Sequence, residues 1–150
     1  MLIIQNIHKK FPHRVVEWGL SYIMVTWGAI VLMTPGAFAD QLRNATYHGW
    51  ASMADQMVWG LAAVLIGCSR LAILYINGAY THSPVVRTIL SFLSSGFWFC
   101  ATVGVLRGEY ITTGLAAYGW FMVGDLYSIY TSVGDAYDVL RGKRKAHAGN

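Results

Sequence analysis

The stretch that decides the fold lies at residues 57–77 and reads MVWGLAAVLIGCSRLAILYIN. It contains one charged residue, Arg70, among residues that are otherwise apolar or small. A helix needs about 20 mostly apolar residues to cross the hydrocarbon core of a bilayer, and this stretch has that length. We therefore predict a transmembrane helix here.

Three further stretches share this length and apolar character, at residues 15–38, 86–106 and 110–133. Hydrophobic residues make up 55% of the chain and charged residues 12%, whereas soluble domains average about 25% charged residues. We predict an all-α, integral membrane four-helix bundle with short loops. It would form a single transmembrane domain over residues 1–150, ending in a basic cytoplasmic tail at 134–150 that continues the last helix.

Positive charge is unevenly divided between the two ends of these predicted helices. Only Arg43 and Arg107 lie at one end. The other end carries a larger group: Lys9, Lys10, Arg14, Arg87, Arg141, Lys143, Arg144 and Lys145. Because short loops rich in Lys and Arg stay on the cytoplasmic side, we predict that both termini are cytoplasmic.

The same basic flanks indicate what the net charge of +4 contacts. Beside apolar segments, basic residues are attracted to anionic lipid headgroups. Direct nucleic-acid binding would need a basic stripe on a folded face, and we expect no such partner. Headgroup contacts are predicted for Lys9, Lys10, Arg14, Arg141, Lys143, Arg144 and Lys145.

The N-terminal region leaves one alternative open. Residues 1–14 form an amphipathic segment that we expect at the membrane interface, separated from the first span by Pro12. Ala37 and Ala39 resemble a signal-peptidase site, so that cleavage after the first span is the alternative. Because the site lies unusually deep in the chain, we interpret 15–38 as a retained span.

Capping residues predict where the later helices begin and end. Ser52 suits an N-cap with Asp55 in the first turn, which would start a helix just before Met57. Asn77 with the following glycine is typical of a helix end. Pro84 suits the first position of the third span.

The aromatic residues divide into interfacial and deep positions. Trp18 and Trp59 lie near span ends, where amphipathic rings anchor helices at the interface. Three aromatic residues of the longest loop suit the same boundary: Tyr47, His48 and Trp50. Three deeper tryptophans are expected to fill gaps between helices: Trp27, Trp98 and Trp120.

Small residues recur at four-residue spacing on the last two spans, which favours close helix packing. The third span carries Gly96, Cys100, Gly104 and Gly108. The fourth span carries Gly124, Ser128 and Ser132. These faces pack either within the bundle or between subunits, and the sequence leaves both interpretations open.

Two charges are predicted to lie inside the membrane. Arg70 precedes Asn77 by seven residues and Asp125 precedes Val133 by eight, which places each about 10–12 Å from the inner end of its span. They can pair if the second and fourth spans are neighbours, and Glu17 is a second possible partner for Arg70. The alternatives are a register-fixing ion pair, a proton or ion pathway, and an arginine that extends toward the headgroups.

No pattern typical of catalysis or metal binding is present. The histidines lack metal-ligand spacing, and Cys68 and Cys100 fall inside spans without further ligands nearby. We therefore predict a non-enzymatic protein with no cofactor and no metal.

A set of scattered segments resembles small multi-span proteins encoded by bacteriophages and prophages of proteobacteria. The segments are VWG at 58–60, GCSRLA at 67–72, ING at 76–78, SPVVR at 83–87, FW at 97–98 and DLYSIY at 125–130. The resemblance covers about residues 15–137 and includes Arg70 and Asp125. It implies a phage or bacterial inner-membrane setting and no assigned reaction.

Three hypotheses of function follow. The first is a phage-type inner-membrane protein that forms a homo-oligomer or binds a membrane or virion partner, in superinfection exclusion, assembly or genome delivery. The second is a holin-like pore. The third is a small ion-coupled or proton-coupled transporter subunit that uses Arg70 and Asp125.

Overall fold

The computed structural model describes four ranges of the chain: residues 2–38, 47–79, 84–108 and 111–148. Within them, the side chains of four helical stretches are outside the description: residues 2–13, 77–79, 138–140 and 142–148.

The described chain is all-α, as predicted, and contains no strand in those ranges. Its helices are α1 Leu2–Met33, α2 His48–Ala51, α3 Gln56–Ala79, α4 Pro84–Leu106 and α5 Gly114–Ala148.

Three of these helices are long and apolar enough to cross a membrane: α1 over Arg14–Met33, α3 over Gln56–Ile76 and α4 over Pro84–Leu106. They confirm that the first three predicted stretches form helices of membrane-spanning length. Helix α5 begins at Gly114 and covers most of the predicted fourth stretch, but it is less apolar because tyrosines, serines and glycines interrupt its aliphatic residues.

Helix α1 differs from the prediction in two places. Helix α1 runs through Pro12 without a break, because the proline φ of about −65° fits a helix even though one hydrogen bond is lost. It ends at Met33 and not at 38, since Thr34–Phe38 turn away through Gly36, whose φ is +71°. Only glycine adopts that conformation readily.

The predicted starts of α3 and α4 are close to the observed ones. Helix α3 starts just before Met57, but the residue before its first turn is Asp55, because the Ser52 hydroxyl donates instead to the carbonyl of Gly49 at 2.7 Å. Pro84 is the first residue of α4, and α5 continues far beyond residue 133, both as predicted.

The long helices pack as two pairs. The most extensive contacts join α1 to α3 and α4 to α5, and smaller contacts between α3 and α4 and between α1 and α5 connect the pairs. In this order α1 lies diagonally across from α4, and α3 lies diagonally across from α5. We call the end at which α1 begins and α5 finishes the terminal end, and the opposite one the α2 end.

Glycines on the first pair permit its close packing. A Cβ added to Gly28 of α1 would lie 2.8 Å from the carbonyl oxygen of Gly60 and 2.8 Å from the Cβ of Ala63, both on α3. One added to Gly67 would lie 2.7 Å from Val25. The sequence analysis assigned close packing to the third and fourth spans and missed this contact, although Gly60 and Gly67 lie two turns apart on one face.

An aromatic cluster fills the core at the α2 end. Its rings contact one another at centroid distances of 4.9–6.3 Å. The members are Trp27, Phe38, Tyr47, Trp50, Trp59, Phe97, Trp98, Tyr118 and Phe121. Trp27 and Trp98 therefore fill space between helices, as predicted, whereas Trp120 is 73% exposed and does not.

Trp50 of α2 lies at the centre of this cluster. It is fully buried, and its indole N–H donates to the carbonyl of Ala101 at 2.9 Å. Trp59 is also buried, and it donates to the carbonyl of Trp50 at 3.2 Å. Both rings thus pack between helices, because α2 folds back into the helix assembly and carries Trp50 inward. Their position at a membrane interface stays a prediction.

Candidate functional site

A buried ion pair joins α3 to α5. Arg70 Nη1 lies 2.5 Å from Asp125 Oδ1, and the two side chains are 3% and 0% exposed. Ser94 of α4 completes the group, since its hydroxyl donates to the other carboxylate oxygen of Asp125 and accepts from Arg70 Nη1 at 2.6 Å. The structure thus brings Arg70 and Asp125 together, with a serine that the sequence analysis did not single out.

A second ion pair lies nearer the terminal end and joins α1 to α4. Arg87 donates to both carboxylate oxygens of Glu17, from Nη2 at 2.6 Å and from Nε at 3.2 Å. Its third donor, Nη1, reaches Asp135 of α5 at 2.7 Å, and Arg14 lies 3.7 Å from the same carboxylate oxygen. The guanidinium of Arg87 is therefore shared between two helices.

This arrangement corrects two sequence-based assignments. Glu17 pairs with Arg87 and not with Arg70, because Arg87 lies on the core face of α4 at the level of Glu17. Arg87 was predicted to flank the span, yet it is buried. The spacing of Arg87, Ser91 and Ser94, four and three residues apart, is the sequence signal that places all three on one helix face.

Both ion pairs cross the assembly along its diagonals. The Arg70–Asp125 pair joins α3 to α5, and the Glu17–Arg87 pair joins α1 to α4. Each diagonal contact links the α1–α3 pair to the α4–α5 pair. The charges therefore hold together two helix pairs that pack tightly within themselves.

The charges of this network balance. Three arginines contribute +3 and three carboxylates contribute −3, so their formal sum is zero. We define the charge network as Arg14, Glu17, Arg70, Arg87, Asp125 and Asp135. Buried charges are tolerated when each is paired and hydrogen-bonded, and removal of one partner leaves the other uncompensated.

Buried serines line the same half of the core, so that half is polar and the α2 end is aromatic. These serines are Ser21, Ser91, Ser94, Ser95, Ser128 and Ser132. Ser21 and Ser128 donate to carbonyls one turn earlier on their own helices, at 2.6 Å and 2.9 Å. The hydroxyls of Ser21 and Ser128 therefore need no partner from another helix, and their small side chains let neighbouring helices approach.

The predicted small-residue faces serve mainly internal packing. A Cβ on Gly104 would lie 1.7 Å from the Trp50 ring, and one on Gly49 would lie 2.8 Å from the backbone nitrogen of Gly108. Gly124 faces Leu20 of α1. On α5, Ser128 and Ser132 are also buried.

Gly96 and Cys100 face outward instead. Gly96 is exposed with open space above its Cα, and Cys100 is half-buried. Both line an open apolar groove of about 360 Å³ between α3 and α4, which we call the α3–α4 groove. Its other lining residues are Met53, Ala54, Val58, Trp59, Ala62, Ile66, Leu93 and Phe97.

The predicted headgroup-contacting residues fall in different environments. The Arg14 side chain is largely buried in the charge network, at 11% exposed, whereas Arg141 is exposed. The others have side chains outside the described part of the chain: Lys9, Lys10, Lys143, Arg144 and Lys145.

Within the described residues, no group of three or more histidines, cysteines or carboxylates is placed to hold a metal ion. The chain matches none of the family models, curated proteins or solved structures with which it was compared. Fold and site thus define an all-α protein with three helices able to span a membrane and a buried, balanced charge network.

Proposed function

We propose that the protein is a four-span integral protein of a bacterial inner membrane with both termini in the cytoplasm. Support for the fourth span comes from Asp125 of α5, which pairs with Arg70 well inside α3. If α3 crosses the bilayer, α5 lies in it at the same depth. The unequal distribution of Lys and Arg supports the orientation.

Reporter fusions test this topology. A fluorescent protein that matures only in the cytoplasm is fused after residue 150, and in a second version it is inserted after Arg107. Fluorescence from the first and none from the second is expected. The reverse pattern, or fluorescence from both, would overturn the proposed orientation.

The function that we propose is association with a second copy of the chain through the α3–α4 groove, without catalysis. The observation that carries it is a notch on the lipid-facing side of α4. Gly96 leaves open space at the groove, while Phe92 and Phe99, about one turn away on either side, are 69% and 56% exposed.

A second copy fits this surface better than an unrelated partner. In a twofold dimer the same patch meets itself, so a protruding ring beside a notch is self-complementary. The Phe92 and Phe99 rings of one copy would then pack at Gly96 of the other. In lipid, helices gain no hydrophobic free energy by associating, because the lipid tails are as apolar as the side chains. Association depends instead on close packing, and small residues at a helix interface let the backbones approach.

The resemblance to phage and prophage membrane proteins supports roles that need association and no chemistry. Superinfection exclusion, virion assembly and genome delivery are such roles. A membrane or virion protein of the phage would then bind the dimer.

The two cysteines of the chain test the proposed contact directly. Cys100 lines the groove, whereas Cys68 is exposed on α3 and is not among its lining residues. In native membranes, a short thiol-reactive crosslinker should join two copies in the Cys68→Ser variant and not in the Cys100→Ser variant. Crosslinking through Cys68 alone, or through neither, would reject this contact surface.

The charge network favours the transporter subunit as second candidate. In the double swap Arg70→Asp/Asp125→Arg, recovery of folding together with transport would make the pair structural. Recovery of folding alone would assign the pair to ion or proton movement.

A holin-like pore is less supported, because the aromatic cluster closes the core at the α2 end. Loss of membrane potential when the protein is expressed in a bacterium would support the holin-like pore.

A further inference from the structure

A small cavity lies between the two ion pairs. Its volume is about 10 Å³, and its polar lining consists of Glu17, Arg70, Arg87 and Ser91. A cavity of about 10–15 Å³ holds one water molecule when two to four polar groups surround it. Apolar side chains line the rest of it: Ile73, Leu74 and Leu90. The cavity therefore has the size of a single-water site and four polar side chains in its lining.

Arg70 provides a second, independent observation. Its Nη1 donates to Ser94 and Asp125, whereas its Nη2 is buried and has no hydrogen-bond partner among the described residues. The whole side chain is only 3% exposed. A guanidinium N–H left unsatisfied at this depth is costly, and buried polar groups almost always have a partner.

We propose that this cavity binds one water molecule that bridges Arg70 to Glu17. The water accepts a hydrogen bond from Arg70 Nη2 and donates to the Glu17 carboxylate and to Ser91 Oγ. Each Glu17 oxygen already accepts one hydrogen bond from Arg87, and a carboxylate oxygen has a second lone pair for the water.

Other small ligands fit this site less well. Two guanidinium groups in the lining repel a metal cation. A volume of about 10 Å³ is too small for a phosphate or a carboxylate ligand. Water satisfies the unpartnered donor without adding charge to a network that is already neutral.

The bridging water joins the two ion pairs into one hydrogen-bonded chain. The chain runs from Asp135 near the terminal end through Arg87, Glu17, the water and Arg70 to Asp125. Water then reaches the polar half of the core as far as Arg70, and we expect none in the aromatic cluster. This inference does not depend on the proposed dimer.

Water-edited solid-state NMR tests the site in proteoliposomes. The full chain carries ¹⁵N in arginine and tryptophan and ¹³C in the aspartate carboxylates. Arg70 and Arg87 both contact an aspartate, so the Arg70 guanidinium is assigned as the signal whose coupling to aspartate persists in the Asp135→Asn variant. Magnetisation from water should reach Arg70 well before it reaches the indole of Trp27 in the aromatic cluster. Equal build-up at Arg70 and Trp27 would overturn the proposal.

A matched pair of variants locates the water. Ser91→Val fills the cavity and removes a hydroxyl that lines it, so transfer to Arg70 should fall to the level of the Trp27 indole. Ser128→Val makes the same change at a buried serine outside the cavity, and transfer should stay at the wild-type level. An unchanged signal in Ser91→Val, or equal losses in both variants, would rule out this site.

Discussion

Arg87 of α4 donates two hydrogen bonds to the Glu17 carboxylate of α1, 2.6 Å and 3.2 Å long, across a diagonal of the helix assembly. Two-point contacts between guanidinium and carboxylate fix orientation as well as distance. Since α1 and α4 belong to different helix pairs, this contact sets the register of one pair against the other.

Arg87→Met should lower the free energy of unfolding by about 3–5 kcal/mol, because it leaves the buried Glu17 carboxylate without a partner. Reversible unfolding in mixed detergent micelles measures this. The matched control is Arg107→Met at the exposed end of α4, with an expected change within about 0.5 kcal/mol. Equal losses in the two variants would show that the ion pair does not stabilise the fold.

Replacement of both partners should cost less than loss of one. In Glu17→Leu/Arg87→Met no buried charge is left unpaired at this contact, and Asp135 is exposed enough to be solvated, at 43%. We expect the double variant to recover a large part of the stability lost in Arg87→Met. The same unfolding assay measures it, and a double variant that is less stable than either single variant would contradict the expectation.

Ser94→Ala should destabilise the protein by about 1.5–3 kcal/mol, because the lost hydroxyl donates to the ionised carboxylate of Asp125. Thr102→Val on the same helix is the control, since the Thr102 hydroxyl donates only to the neutral carbonyl of Trp98, one turn earlier. Its loss should cost about 1 kcal/mol or less. Thermal unfolding in detergent compares them, and a larger effect at Thr102 would contradict the role of Ser94.

Gly104→Ala should displace α2 from the core, because the new Cβ would lie 1.7 Å from the Trp50 ring. We expect a loss of about 1–3 kcal/mol, as for other overpacked cores, together with a red shift of tryptophan emission. Gly134→Ala, on α5 and also with open space above it, should leave the emission unchanged. A spectrum that shifts in both variants, or in neither, would argue against the packing of Trp50.

Much of this fold was predictable because helices able to span a membrane are recognised by their length and apolar composition. The stretch around Arg70 and the Pro84 start of α4 illustrate this. The contact between Arg70 and Asp125 was also foreseen as possible, since both lie a similar number of residues from one end of their predicted spans.

What escaped prediction depends on how helices are rotated about their axes. Arg87 reads as a flanking charge until the face of α4 is known, and only then does Glu17 become its partner. Trp50 lies in the connection between α1 and α3, and no periodic pattern in the sequence indicates that this connection turns inward. The small-residue pattern of α4 does not show by itself that Gly104 faces inward while Gly96 and Cys100 face outward. The difference arises because Trp50 of α2 packs on Gly104 and nothing packs on Gly96.

Sedimentation equilibrium in mild detergent tests whether the protein is a dimer formed through the α3–α4 groove. Wild-type protein should show twice the mass of a single chain. The Gly96→Leu variant should be monomeric because the leucine side chain fills the notch. The matched control is Gly119→Leu, on α5, where an added Cβ also meets nothing within 4 Å, and this variant should remain dimeric. A monomeric wild type, or a Gly96→Leu variant that dimerises as the wild type does, would contradict the proposed dimer.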